Sequence, residues 1–82
     1  MAAKHDLALG TAVRELRTAR QLTIERLAHE SEVTTATLSK IELAQSDPRW
    51  STIRAIMLAL DADFAELGHL IDAAATDGAY ER

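Results

Sequence analysis

The sequence of 82 residues has no cysteine. A disulfide framework is therefore excluded and a structural zinc site is not expected, so apolar packing alone must hold the fold. One proline, three glycines and three aromatic side chains (Trp50, Phe64, Tyr80) leave few hairpin cues, and strand signals are sparse. No apolar run approaches the ~18 residues of a membrane span, and the N-terminal MAAKHD lacks a signal peptide's hydrophobic stretch. No membrane association is expected, and the cysteine usage is compatible with a reducing, cytoplasmic setting. What is present is globular material: 48% hydrophobic and 27% charged residues, enough for one small domain and well away from disorder. Met1 and the polar end after Thr76 read as a complete small protein, a single domain over 1–82 with a core over about 7–72 and a flexible tail at 76–82.

A net charge of −4 argues at first against a polyanionic partner. Its distribution matters more. Residues 1–49 balance seven basic side chains against seven acidic ones, whereas residues 50–82 hold only Arg54 and Arg82 against Asp61, Asp63, Glu66, Asp72, Asp77 and Glu81. The whole deficit lies in the last part of the chain, as it would in a protein with one face turned to a polyanion.

Apolar spacing divides the chain into five short helices. Asp6 is read as the N-cap of a first helix reaching Arg20, with Leu9, Val13 and Leu16 as its stripe. Leu22 falls in a linker, and Thr23 caps a second helix in which Ile24, Leu27 and Ala28 face inward and which stops near Ser31. Val33 is expected as a buried linker residue, and Thr34 caps a third helix anchored by Leu38 and Ile41. The polar stretch Gln45–Arg49 breaks the pattern, because Pro48 disfavours helix at Asp47. Trp50 or Ser51 opens a fourth helix carrying Ile53, Ile56, Met57 and Leu60, and Asp63 caps a fifth with Phe64, Leu67, Leu70 and Ile71. The fold class is all-α, a compact bundle.

The two very short helices, about 24–31 and 34–43, are separated by a few residues. So short a turn cannot return one helix antiparallel on the other, so they must cross steeply, with the second projecting an outer face. With Ala28 at the crossing and Val33 in the turn, the stretch from Leu9 to Leu67 resembles the Cro/cI-like, or XRE, helix-turn-helix regulators. The segments LRxxRxLT, LAxxSxVTxxTLSKIE and PxxSTIxxIxxAL carry the resemblance, each loose alone and specific together. It implies a five-helix, lambda-repressor-like domain with its helix-turn-helix at about 23–43. It also implies a homodimeric transcriptional regulator that binds double-stranded DNA at a palindromic operator. Restriction–modification controllers, small prophage repressors and autoregulating antitoxins are stand-alone relatives of this size.

The resemblance assigns roles by position. Thr35, Ala36, Thr37, Ser39 and Lys40 fall at groove-facing positions, where Lys40 can donate to guanine O6/N7 and a methyl can meet a thymine methyl. Thr23, Ile24 and Thr34 lie at helix N-termini suited to phosphate, with Ile24 able to offer only its N–H where relatives carry glutamine. Gln45, Ser46 and Arg49 follow in a loop flanking the phosphates, Arg49 resembling an arginine that enters the minor groove. Arg17 and Glu42 match an ion pair tying the first helix to the end of the recognition helix. Two turn glycines of relatives are Gln21 and Glu32 here; a non-glycine residue in the left-handed conformation costs roughly 1 kcal/mol, so the turns must be rebuilt or the core must absorb it.

Trp50, Phe64, Leu67, Leu70 and Ile71 exceed what so small a bundle easily covers and are read as a two-fold interface. His5, His29 and His69 are too scattered for a metal, and Glu25, Glu30 and Glu32 read as solvated charge with no nucleophile beside them. No cofactor and no enzymatic activity are expected. A reading of another class is a protein-interaction module, such as an antitoxin that holds a toxin as its protein partner and autoregulates its operon. The acidic C-terminal part speaks for that reading.

Overall fold

The computed structural model describes residues 4–74, with side chains from Leu7 onward. Met1 and the polar end after Thr76 lie outside the described residues. Five helices follow in order: α1 (Lys4–Ala19), α2 (Ile24–Ser31), α3 (Thr35–Glu42), α4 (Trp50–Leu60) and α5 (Phe64–Ala74). No helix is long and apolar enough to cross a membrane among the described residues. One boundary corrects the sequence reading: α1 begins at Lys4, so Asp6 lies inside the helix and does not cap it.

The other starts follow cap chemistry. Thr23 Oγ1 accepts from Arg26 N–H at 3.0 Å, Thr34 Oγ1 from Thr37 N–H at 3.0 Å, and Asp63 Oδ1 from Glu66 N–H at 2.8 Å, each satisfying a first-turn donor. α4 opens from Arg49 in extended conformation without a side-chain cap.

The helix ends resolve the glycine question. Gln21, Glu32, Ala44 and Asp61 all adopt positive φ, between 54° and 60°. Each follows a helix, and around each the chain closes two bonds. After α2, Val33 N–H donates to Ala28 O at 3.0 Å and Glu32 N–H to His29 O at 3.1 Å. The same pair recurs after α1 (Leu22 to Arg17, Gln21 to Thr18), α3 (Gln45 to Lys40, Ala44 to Ile41) and α4 (Ala62 to Met57, Asp61 to Leu58). This is the Schellman closure, built here four times without glycine. The turns keep their geometry and the core absorbs the strain, since the residue after three of them (Leu22, Val33, Ala62) packs against it. Val33 is half-buried, less enclosed than its linker position suggested.

α1 packs against α5 and α3, and α2 against α4 and α3, so the third helix lies across both halves of the bundle. The core joins Val13 and Leu16 from α1, Leu27 and Ala28 from α2, Leu38 and Ile41 from α3, Ile53, Ile56, Met57 and Leu60 from α4 and Leu67 from α5. On α1 the expected stripe is shifted: Leu9 is only partly buried, whereas the small Ala8 and Ala12 are fully enclosed where neighbouring helices approach closely.

Candidate nucleic-acid interface

α3 presents one face inward and one outward. Leu38 and Ile41 are 0% and 2% exposed, while Thr35, Ala36, Thr37 and Lys40 are exposed and Ser39 is half-buried. Four of the five positions expected to face a groove are thus open to solvent, with Ser39 partly covered. At the helix start the Thr34 hydroxyl accepts from Thr37 N–H and donates to Thr37 Oγ1 at 2.9 Å, fixing both side chains. The first-turn N–H groups of Thr35 and Ala36 precede these bonds and point out of the N-terminus, where an anion is favoured. α2 offers a second such start behind Thr23, and the Ile24 side chain packs against the core, leaving its N–H as the group that can reach a ligand.

Gln45, Ser46 and Arg49 are exposed in the segment after α3. Arg49 is held by its main chain: its carbonyl accepts from Thr52 N–H at 3.0 Å and Ile53 N–H at 3.1 Å, leaving the guanidinium to project. Among the described residues neither Lys40 nor Arg49 is paired with a carboxylate, so both charges are available, whereas Arg26 is engaged with Glu30 at 2.8 Å and Arg20 with Glu66 at 3.3 Å.

Arg17 and Glu42 meet as the resemblance implies. The guanidinium donates through Nε to Oε2 at 2.7 Å and through Nη2 to Oε1 at 3.2 Å, and its Nη1 donates to Leu22 O at 2.9 Å. The Glu42 side chain is 6% exposed, so α1 fastens the end of α3 through a carboxylate almost out of water.

The apolar residues assigned to an interface divide. Trp50 is 66% and Phe64 41% exposed, their rings stacked with centroids 4.9 Å apart, and Leu58 is exposed as well. Leu70 and Ile71 are half-buried against the protein's own core. Leu67 is only 5% exposed, which corrects its placement at an open interface: it completes the core of its own bundle. Sequence reasoning missed Gly10, whose bare Cα faces the end of α3, and Ser31, a buried hydroxyl without a hydrogen-bond partner among the described residues. For Gly10 a signal existed, since a glycine inside an apolar periodic segment marks close backbone approach. No group of three or more metal-binding side chains occurs among the described residues.

Residues 8–70 match the family model described as a helix-turn-helix domain. No curated protein matches the chain. Among solved structures, the restriction-modification controller protein C.AhdI from Aeromonas hydrophila is 32% identical with a TM-score of 0.73, the match covering 76% of this chain and 94% of that one. The clp gene regulator ClgR from Corynebacterium glutamicum is 25% identical with a TM-score of 0.87, covering 94% of this chain and 82% of that one. With α2, its turn and the outward face of α3 in place, the chain belongs to the helix-turn-helix family, among DNA-binding transcriptional regulators of the Cro/cI-like (XRE) type.

Proposed function

We propose that this protein is a homodimeric, sequence-specific regulator working in the cytoplasm, which lays α3 into the major groove at each half of a palindromic operator. The observation that carries the reading is the division of α3: Leu38 and Ile41 closed off beneath, and a threonine, alanine and lysine surface open above. Lys40 reads a guanine edge, Thr35, Ala36, Thr37 and Ser39 supply short-range contacts, and Thr23, Ile24, Thr34, Gln45, Ser46 and Arg49 position the backbone or enter the minor groove. With such short side chains at the groove, sequence-dependent DNA shape carries part of the selectivity.

The exposed Trp50–Phe64 stack, together with the exposed Leu58 and the half-buried Leu70 and Ile71, supports a two-fold pairing of copies. Such a pair sets its recognition helices about 34 Å apart, one turn of DNA. The likeness to C.AhdI favours a controller-type role.

Gel shift on the chain's own upstream DNA tests the reading. If each dimer neutralises about 6–8 phosphates, affinity falls ~10³–10⁵-fold between 50 and 200 mM salt. A protein that shifts no promoter fragment at low salt overturns it. The net charge of −4 favours the second reading, an antitoxin-like module, which predicts instead a tight complex with the product of a neighbouring gene.

A further inference from the structure

We infer that Gly10 is a positioning residue for DNA recognition: its bare Cα lets α1 seat against the last turn of α3 and so sets the pose in which α3 meets the groove. The inference rests on α3 being the helix that reads DNA. A Cβ on residue 10 would lie 2.5 Å from Ile41 O, 2.7 Å from Glu42 O and 3.1 Å from the Glu42 carbonyl carbon. All three are main-chain atoms of α3, so no flexible side chain can move aside. Comfortable contact with carbon begins near 3.5 Å, and a methyl group there drives the end of α3 away by roughly 1 Å. Gly68, on α5, has nothing within 4 Å of such a Cβ, so of the two described glycines Gly10 alone carries the constraint.

The residue pressed by Gly10 is also the one held by Arg17. Glu42 is thus gripped twice from α1, at its main-chain carbonyl by close approach and at its carboxylate by the two-pronged guanidinium. An eight-residue helix is about 12 Å long, so moving one end by 1 Å tilts it by about 5°. Lys40 lies next to Ile41, where the displacement is largest. A base-edge bond of about 2.9 Å stretched by that amount is no longer a hydrogen bond. The phosphate contacts assigned to Thr23 and Ile24 come from the start of α2, that of Thr34 from the far end of α3 and that of Arg49 from the start of α4, where the displacement is smallest, and they survive. Helix propensity alone favours alanine over glycine at an interior position, so a loss of discrimination on Gly10→Ala would carry the sign of the contact and not of the helix.

The test uses the full chain carrying Asp61→Gly, which relieves the left-handed turn between α4 and α5, outside the Arg17–Glu42 contact, and gives reserve stability for Gly10→Ala. A pool of random duplexes of about 30 bp yields the preferred sequence for the unsubstituted chain. Affinities for that duplex and for a scrambled one are then measured at a temperature where circular dichroism shows every variant folded. Gly10→Ala is expected to lose about tenfold of the preference while binding the scrambled duplex within about twofold of its parent. A folded Gly10→Ala that keeps its preference, or that loses affinity equally for both duplexes, overturns the positioning role and leaves DNA binding intact. An unsubstituted chain that enriches no sequence overturns the DNA reading itself, and this inference with it.

Discussion

Single side chains carry sharply different weights in so small a protein. The Glu42 carboxylate is tolerated out of water because Arg17 occupies both its oxygens. Arg17→Ala leaves that charge buried and unmatched, and should lower unfolding free energy by about 3–5 kcal/mol, whereas replacing both partners by apolar residues should cost far less. Urea titration of the single and double variants measures the difference; equal losses would show that the charge is not the cause. Ser31 has the opposite sign. Its hydroxyl is buried with no partner among the described residues, so Ser31→Ala should raise stability by about 1 kcal/mol, visible as a rise of several degrees in the melting temperature. Lys40 costs the fold nothing, being exposed and unpaired among the described residues. Lys40→Ala should leave the melting temperature unchanged, weaken specific binding by ~1–3 kcal/mol and relax preference at one base step, as competition gel shifts with single-step operator variants would register.

Among the elements, α4 stands apart from α2, α3 and α5, because Arg49 at its start makes no side-chain cap bond where the others have threonine or aspartate. A cation at a helix N-terminus opposes the dipole and satisfies no donor, a local disadvantage that the proposed DNA contact of Arg49 would explain. Arg49→Ser should therefore stabilise the protein by about 0.5–1 kcal/mol and at the same time weaken DNA binding. Thermal melts and gel shifts on the same sample test both halves, and a variant that gains stability with full affinity would remove Arg49 from the interface. The elements themselves were legible in the sequence at three of the four caps read there: Thr23, Thr34 and Asp63 mark starts that the structure keeps, whereas Asp6 falls inside α1. They were not legible where geometry replaces chemistry. The resemblance marked Gln21 and Glu32 as non-glycine residues at left-handed positions, but nothing in the sequence marks Ala44 and Asp61, because that strain is absorbed by packing elsewhere. Nor does periodicity alone reveal that Leu67 points inward while Leu58 faces out, since both sit in apolar stretches and only the direction of each helix against its neighbours decides.

In the molecule as a whole, the aromatic pair stands largely open to water. Trp50, Phe64 and Leu58 present more apolar surface than an isolated bundle of this size needs, and the proposed pairing of two copies would withdraw it from water. Leu58→Ser together with Trp50→Ala should shift the dimer toward monomer without unfolding the bundle, because neither side chain belongs to the buried core; analytical ultracentrifugation reads the association directly. An unchanged sedimentation profile would place the contact elsewhere. Trp50 is also the one tryptophan in the chain, and its indole is already largely wet in the single copy. Its fluorescence is therefore a poor gauge of denaturation, since unfolding merely moves the ring from one aqueous setting to another. In the proposed pair, assembly is the event that would dry it, and a blue-shifted emission that follows concentration would make this residue a built-in optical counter of subunits.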